Sequence, residues 1–126
     1  MISQKKSSIL IIDDDLSILR TLNRVLSKAG YVVETARTCN EASGKFVEKR
    51  FDVALIDIGL GEMEGTDLLP QMNKTAPNML KIIFTGTPMN DEVLEKARSG
   101  ADVFLLKPVK PEMLLEILEE KLGKKS

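Results

Sequence analysis

The chain has 126 residues, which predicts a single domain over 1–126 and leaves no room in this length for a second output domain. Eighteen Lys and Arg against 19 Asp and Glu leave a net charge of -1, so the basic footprint of direct nucleic-acid binding is missing, and no apolar run approaches the roughly 20 residues of a membrane-inserted helix. Histidine is absent and Cys39 is the single cysteine, which excludes a Ser-His-Asp triad, a histidine metal site, a zinc cluster and an internal disulfide.

Any chemistry must therefore run on carboxylates, hydroxyls and lysine. The first eight residues are polar where a signal peptide would be apolar, so the expected compartment is the cytoplasm.

Five short apolar runs alternate with helical patterns. Ile9–Ile12 reads as a buried strand, and Leu16, Leu19, Leu22 and Leu26 mark one face of the helix after it. Gly30 suits a left-handed helix stop before a strand at Tyr31–Val33. Thr38 and Glu41 form a capping box for a helix carrying Ala42 and Phe46, which Gly44 weakens by about 1 kcal/mol relative to Ala. Val53–Ile56 is the third strand. The helix of Leu68, Leu69 and Met72 accepts Pro70 only in its first turn, so it and the Gly44 helix should be the least regular.

Ile82–Phe84 is followed by a helix with Val93, Leu94 and Ala97, for which Gly100 is a second left-handed stop. Val103–Leu106 precedes the last helix, opened by Pro111 and patterned by Met113, Leu114, Ile117, Leu118 and Leu122. The folded core should span about residues 9–122, with 123–126 a short basic end. Five βα repeats imply an α/β fold, a doubly wound parallel sheet of five strands with five helices on its two faces and every strand buried on both sides.

The chemically informative residues follow strand ends: Asp13 and Asp14 after the first, Asp57 after the third, Thr85 after the fourth, Lys107 after the fifth. In an open sheet of order 2-1-3-4-5, ligands bind at the carboxyl edge where strand order reverses, between strands one and three. That places Asp13, Asp14 and Asp57 in one cleft. Carboxylates about 5 Å apart repel by roughly 3 kcal/mol per pair at an effective dielectric near 20. A proton or hard cation must relieve this, and Mg²⁺ suits an all-oxygen set without histidine or thiolate. Mg²⁺ is often shared with phosphate, whose oxygens Lys107 and Thr85 can bind. A carboxylate can attack phosphorus, and Asp57, alone on the central strand, is the expected nucleophile. Asp15 is expected to cap the first helix, and Cys39 to be a half-buried structural thiol.

Six stretches resemble the receiver domain of two-component response regulators, of the chemotaxis-type single-domain kind: Ile11–Asp14 (IIDD), Leu55–Ile58 (LIDI), Met63–Gly65 (MEG), Ile83–Gly86 (IFTG), Gly100–Phe104 (GADVF) and Leu106–Pro108 (LKP). The resemblance runs from Ile9 to Leu122. It implies a flavodoxin-like fold and a phosphoacceptor that catalyses transfer to Asp57 from the phosphohistidine of a sensor histidine kinase or phosphotransfer protein. It implies Mg²⁺ on Asp14, Asp57 and the main-chain carbonyl of Gly59, with Asp13 acting mainly through water. Thr85 and Lys107 would hold the phosphoryl oxygens. Thr85 and the strand-five aromatic, here Phe104, would switch the surface of helix four, strand five and helix five. A cis Lys107–Pro108 bond is also implied.

Several positions depart from the family pattern. Gly61 stands where proline is usual and Glu64 where the last loop acid is usual, and Gly59 with Gly61 adds about 1 kcal/mol of ordering cost to the metal loop. Gly59 and Thr87 offer no acid or amide to position an attacking water, so slow self-dephosphorylation is expected. Two rival readings remain: a haloacid-dehalogenase-like phosphotransferase with Asp13 as nucleophile, and a receiver-like interaction module that is never phosphorylated. The downstream partner is an output domain or separate protein, and a homodimer formed through the last two helices on phosphorylation stays open.

Overall fold

The computed structural model describes residues 7–60, 63–86 and 91–122. Five strands, β1 (Ser8–Ile12), β2 (Val32–Ala36), β3 (Val53–Asp57), β4 (Leu80–Thr85) and β5 (Val103–Leu106), form one parallel sheet in the order β2-β1-β3-β4-β5. Five helices alternate with them: α1 (Leu16–Lys28), α2 (Cys39–Glu48), α3 (Leu69–Thr75), α4 (Asp91–Gly100) and α5 (Pro111–Leu122). This is the α/β flavodoxin-like arrangement.

Strand alternation sorts the core into two layers. Ile9, Ile11, Val53, Leu55, Ile82 and Phe84 face α1 and α5, where Leu19, Leu22, Leu26, Leu114 and Leu118 meet them. Leu10, Ile12, Ala54, Ile56 and Ile83 face the opposite layer, which includes Ala42, Phe46, Leu69 and Met72. A side chain of this size contributes roughly 1.5–3 kcal/mol when fully buried, so the inner strands anchor the carboxyl edge on which the candidate site sits.

Local signals fix the helix ends. Asp15 caps α1 by accepting from the amides of Ser17 and Ile18 at 2.9 and 3.3 Å. Thr38 caps α2 through the Glu41 amide at 3.0 Å, while the Glu41 carboxylate accepts from the amide of Arg37, one residue before the cap. Pro70 lies in the first turn of α3, which is seven residues long and follows a 3-10 turn at Gly65–Leu68. Gly30 has φ +106°, where a Cβ would be strained, and the amide of Tyr31 closes the turn onto the Leu26 carbonyl at 3.1 Å. That turn delays β2 by one residue relative to the sequence expectation and lets it run on to Ala36. The Lys107–Pro108 bond is cis.

Three expectations need correction. Strands are not all buried on both sides: β2 and β5 are edges, and Leu106 on β5 is 75% exposed. Cys39 is fully rather than half buried, at the first turn of α2. Gly100 is not a left-handed stop, since Gly30 is the single positive-φ residue among those described. Its role is close approach: a Cβ at 100 would lie 2.9 Å from Leu69 Cβ, so glycine lets the end of α4 pack on α3. A clasp between buried Lys81 and exposed Asp102, which the sequence did not disclose, ties β4 to β5. Lys81 Nζ donates to the Met79 carbonyl at 2.6 Å and lies 3.6 Å from Asp102, whose carboxylate accepts from the Lys81 amide at 2.8 Å.

The two glycines make opposite predictions. Gly100→Ala should lose roughly 1–3 kcal/mol by overpacking against Leu69. Gly44→Ala, mid-helix with open space around its Cβ, should gain about 0.5–1 kcal/mol. Urea unfolding of both variants checks the signs.

Candidate functional site

The carboxyl edge of the sheet gathers the candidate residues in a way that register explains. Ile12 on β1 pairs with Ile56 on β3, so Asp13 and Asp57, each one residue on, emerge side by side where strand order reverses. Carboxylate oxygens of Asp13, Asp14 and Asp57 all lie within 4.8 Å of one another. Asp13 is fully buried, Asp57 is buried, and Asp14 is exposed at the mouth.

Lys107 enters from beyond β5. Its amide donates to the Thr85 carbonyl at 2.8 Å, which locks the ends of β4 and β5 together and brings the two expected phosphate-binding residues onto adjacent strands. The ammonium lies 3.2 Å from Asp57 Oδ1 and 3.5 Å from Asp13 Oδ2. Thr85 is buried at the end of β4. Phe104 pairs in register with Ile83, and Leu106 with Thr85, so both exposed β5 side chains stand on the same side of the sheet as Thr85. Gly59 pairs with Glu64 in a short antiparallel ladder, Gly59–Leu60 with Met63–Glu64, immediately after Asp57. Gly61 and Thr87 lie outside the described residues.

One cation does not balance this cluster. Burial raises the Asp57 pKa to about 6, the Asp13 charge adds to the rise, and Lys107 opposes it. Asp13 is also raised by burial, against the Asp15 amide, which donates to its Oδ1 at 2.9 Å, and against Lys107. Burial works against the Lys107 charge, but Asp57 and Asp13 outweigh it and hold its pKa above the ordinary lysine value. Asp13 Oδ2 is buried and accepts no hydrogen bond. A second cation beside Asp13, Asp14 and Asp57 would satisfy that oxygen and relieve the repulsion, and an all-carboxylate donor set favours a hard divalent ion such as Mg²⁺.

Two neighbours escaped the sequence reading. Phe84 pairs in register with Asp57 and places its ring 5.5 Å from the Lys107 ammonium, within cation–π range. Given the strand order, counting register would have found it. Arg37, following β2, donates to the Asp14 carbonyl at 3.4 Å, and no motif marks it.

An acid cluster, a threonine and a lysine at the carboxyl edge of a 2-1-3-4-5 sheet define a receiver-type signalling module. The family model "Response regulator receiver domain" matches residues 9–119, and the chain belongs to that family. The alginate biosynthesis transcriptional regulatory protein AlgB of Pseudomonas aeruginosa is 37% identical over 112 residues, covering 89% of this chain and 25% of that protein. The chain thus spans about a quarter of the length of that curated relative. The CheY-like receiver domain protein of Methanospirillum hungatei is 41% identical, with a TM-score of 0.89 and coverage of 95% of this chain and 96% of that one. A Burkholderia pseudomallei response regulator, solved with a phosphorylated aspartic acid, a calcium ion and citrate, is 26% identical with a TM-score of 0.80, covering 96% of this chain and 76% of that one.

The raised Asp57 pKa has a definite sign in stability. Its folded value, about 6, exceeds its ordinary 3.8, so the stability associated with its protonated form is present below pH 4 and lost as pH rises through 6. Without divalent cations, Asp57→Asn should match wild type near pH 4 and exceed it by about 2–3 kcal/mol at pH 7. Paired urea titrations across that window check it.

Proposed function

We propose that this chain is a cytoplasmic phosphoacceptor module of a two-component system, taking a phosphoryl group on Asp57 from the phosphohistidine of a sensor histidine kinase or phosphotransfer protein. The observation that carries the reading is the cation-deficient cluster of Asp13, Asp14 and Asp57 beside Lys107 at the sheet's reversal point. Asp13, Asp14, Asp57 and the Gly59 carbonyl would hold Mg²⁺. That ion supplies charge neutralisation for an incoming phosphoryl group.

In the transfer, an Asp57 carboxylate oxygen forms the new bond to phosphorus while the phosphorus–nitrogen bond breaks. The imidazole leaves with that electron pair and takes a proton from solvent. Lys107 exchanges part of its contact with Asp57 for a phosphoryl oxygen, and the Thr85 hydroxyl turns to donate to another. Positioning and charge balance carry most of the acceleration in such a step. Asp57 suits the nucleophile's part better than Asp13, whose carboxylate is fully buried and already accepts the Asp15 amide.

The output is a shift between two surface arrangements. Phe104 is 38% exposed here, and its outward position fits the unphosphorylated arrangement. Drawing Thr85 toward a phosphoryl group would open space for Phe104 to turn inward and change the face read by an output domain or separate protein.

Acetyl phosphate with Mg²⁺ should add one phosphoryl group by intact mass, and Asp57→Ala should abolish it. An adduct on Asp13 that survives in Asp57→Ala would favour the phosphotransferase, and no adduct from acetyl phosphate or from a phosphorylated kinase would favour the unphosphorylated module. Decay of the adduct should be slow, and Thr87→Glu or Gly59→Asn should accelerate it by about tenfold or more by supplying a group that positions water.

A further inference from the structure

A cavity of about 380 Å³ opens between α3 and α4, and none of the acid cluster lines it. One wall is the 3-10 turn at Gly65–Leu68 with the start of α3, and the other is the second half of α4. Both helices follow strands of the parallel sheet and run the same way. Two side-chain bridges join them. Lys96 Nζ lies 3.1 Å from Asp67 Oδ1 at one end, and Asn73 Nδ2 donates to the Gly100 carbonyl at 3.4 Å at the other. Along α4 the bridges stand about 6 Å apart at the helical rise of about 1.5 Å per residue. At the inner end lies Thr66, 1% exposed, whose hydroxyl has no hydrogen-bond partner among the described residues. A buried hydroxyl left unpaired is unfavourable, and native proteins rarely keep one that nothing else comes to meet.

We propose that this cavity binds a small α-amino acid with an uncharged polar side chain. Among the described residues lining it, Asp67 and Lys96 carry the charge, one of each sign, so a zwitterion matches both where a lone cation or anion would meet a like charge. Their ion pair is part exposed at the mouth and therefore weakly held. In the bound state the α-carboxylate faces Lys96 and the α-ammonium faces Asp67. The slot beyond them presents Ser99, Asn73 and Thr66, hydroxyl and amide groups that suit a side chain able both to donate and to accept. A change of χ1 rotamer turns the Thr66 hydroxyl toward that side chain. An apolar side chain would leave these groups unpaired, which is the source of discrimination. The volume is at the lower end for ligand cavities, as a molecule this small requires. Binding here does not use Asp57 and stands apart from the phosphoacceptor reading.

Titration of the ¹⁵N-labelled full chain with L-asparagine and with L-serine at low salt, followed by amide shifts, tests this. The amides of Asp67, Asn73, Ser99 and Gly100 should shift saturably, with a dissociation constant of about 1 mM or below for at least one of the two. Binding should weaken at least about tenfold in 1 M salt, where the screening length falls to about 3 Å. L-Leucine should bind at least about tenfold more weakly, and succinate, putrescine and glycerol should leave those amides unmoved. Thr66→Val and Lys96→Gln should each weaken binding at least about tenfold, with unchanged strand amides verifying that each is folded. No saturable shift with either amino acid up to about 20 mM, an equal response to L-leucine, succinate or glycerol, or unchanged affinity in either variant would overturn the proposal.

Discussion

The arrangement turns on two buried carboxylates, Asp13 and Asp57, held against one lysine. Neither acid can move away. Each extends an inner strand whose neighbours are fully buried, and the β1–β3 register brings them out side by side. Lys107 is fixed in turn by the hydrogen bond its backbone amide donates to the Thr85 carbonyl and by the Phe84 ring beneath its ammonium. The cluster is therefore poised, with more negative charge than its own cation can balance. The same property that costs stability in the isolated protein leaves an all-carboxylate set whose chemistry suits a hard divalent cation.

Much of this was legible in the sequence because it depends on short-range patterns. Apolar runs gave the strands, and the residue after each run gave Asp13, Asp57 and Lys107, since a parallel sheet collects strand ends along one edge. Capping chemistry pointed to Asp15 as the cap of the first helix, and its carboxylate does bond the first turn of α1. What was not legible depends on contacts between elements distant in the chain. Gly100 looked like a helix stop by local rules, but Leu69 explains it, 31 positions earlier. Lys81 and Asp102 gave no local sign of their clasp, because a lysine in a strand pattern ordinarily points to solvent. Leu106 reads as core by its hydropathy yet stands exposed on an edge strand, where no further strand covers it.

The residues of the candidate site divide between the two layers of the sheet. By strand alternation, Asp13, Asp57, Phe84 and Lys107 belong to the α1 and α5 side, while Thr85, Phe104 and Leu106 belong to the other. Thr85 stands at the boundary, buried at the end of β4 and joined through its carbonyl to the amide of Lys107. Between Asp57 and the exposed side of β5 lies only this adjacent backbone of β4 and β5. Opposite-charge stripes on α1 and α5 lie on the site's own side of the sheet.

The most direct test is the titration of the Asp57 carboxyl itself, followed by its ¹³C shift in metal-free protein. The account predicts a midpoint near 6, moving toward the ordinary value in Asp13→Asn and on adding Mg²⁺. A midpoint near 3.8 in the metal-free protein, unmoved by either change, would contradict the claim that Asp57 sits in a cation-deficient carboxylate cluster.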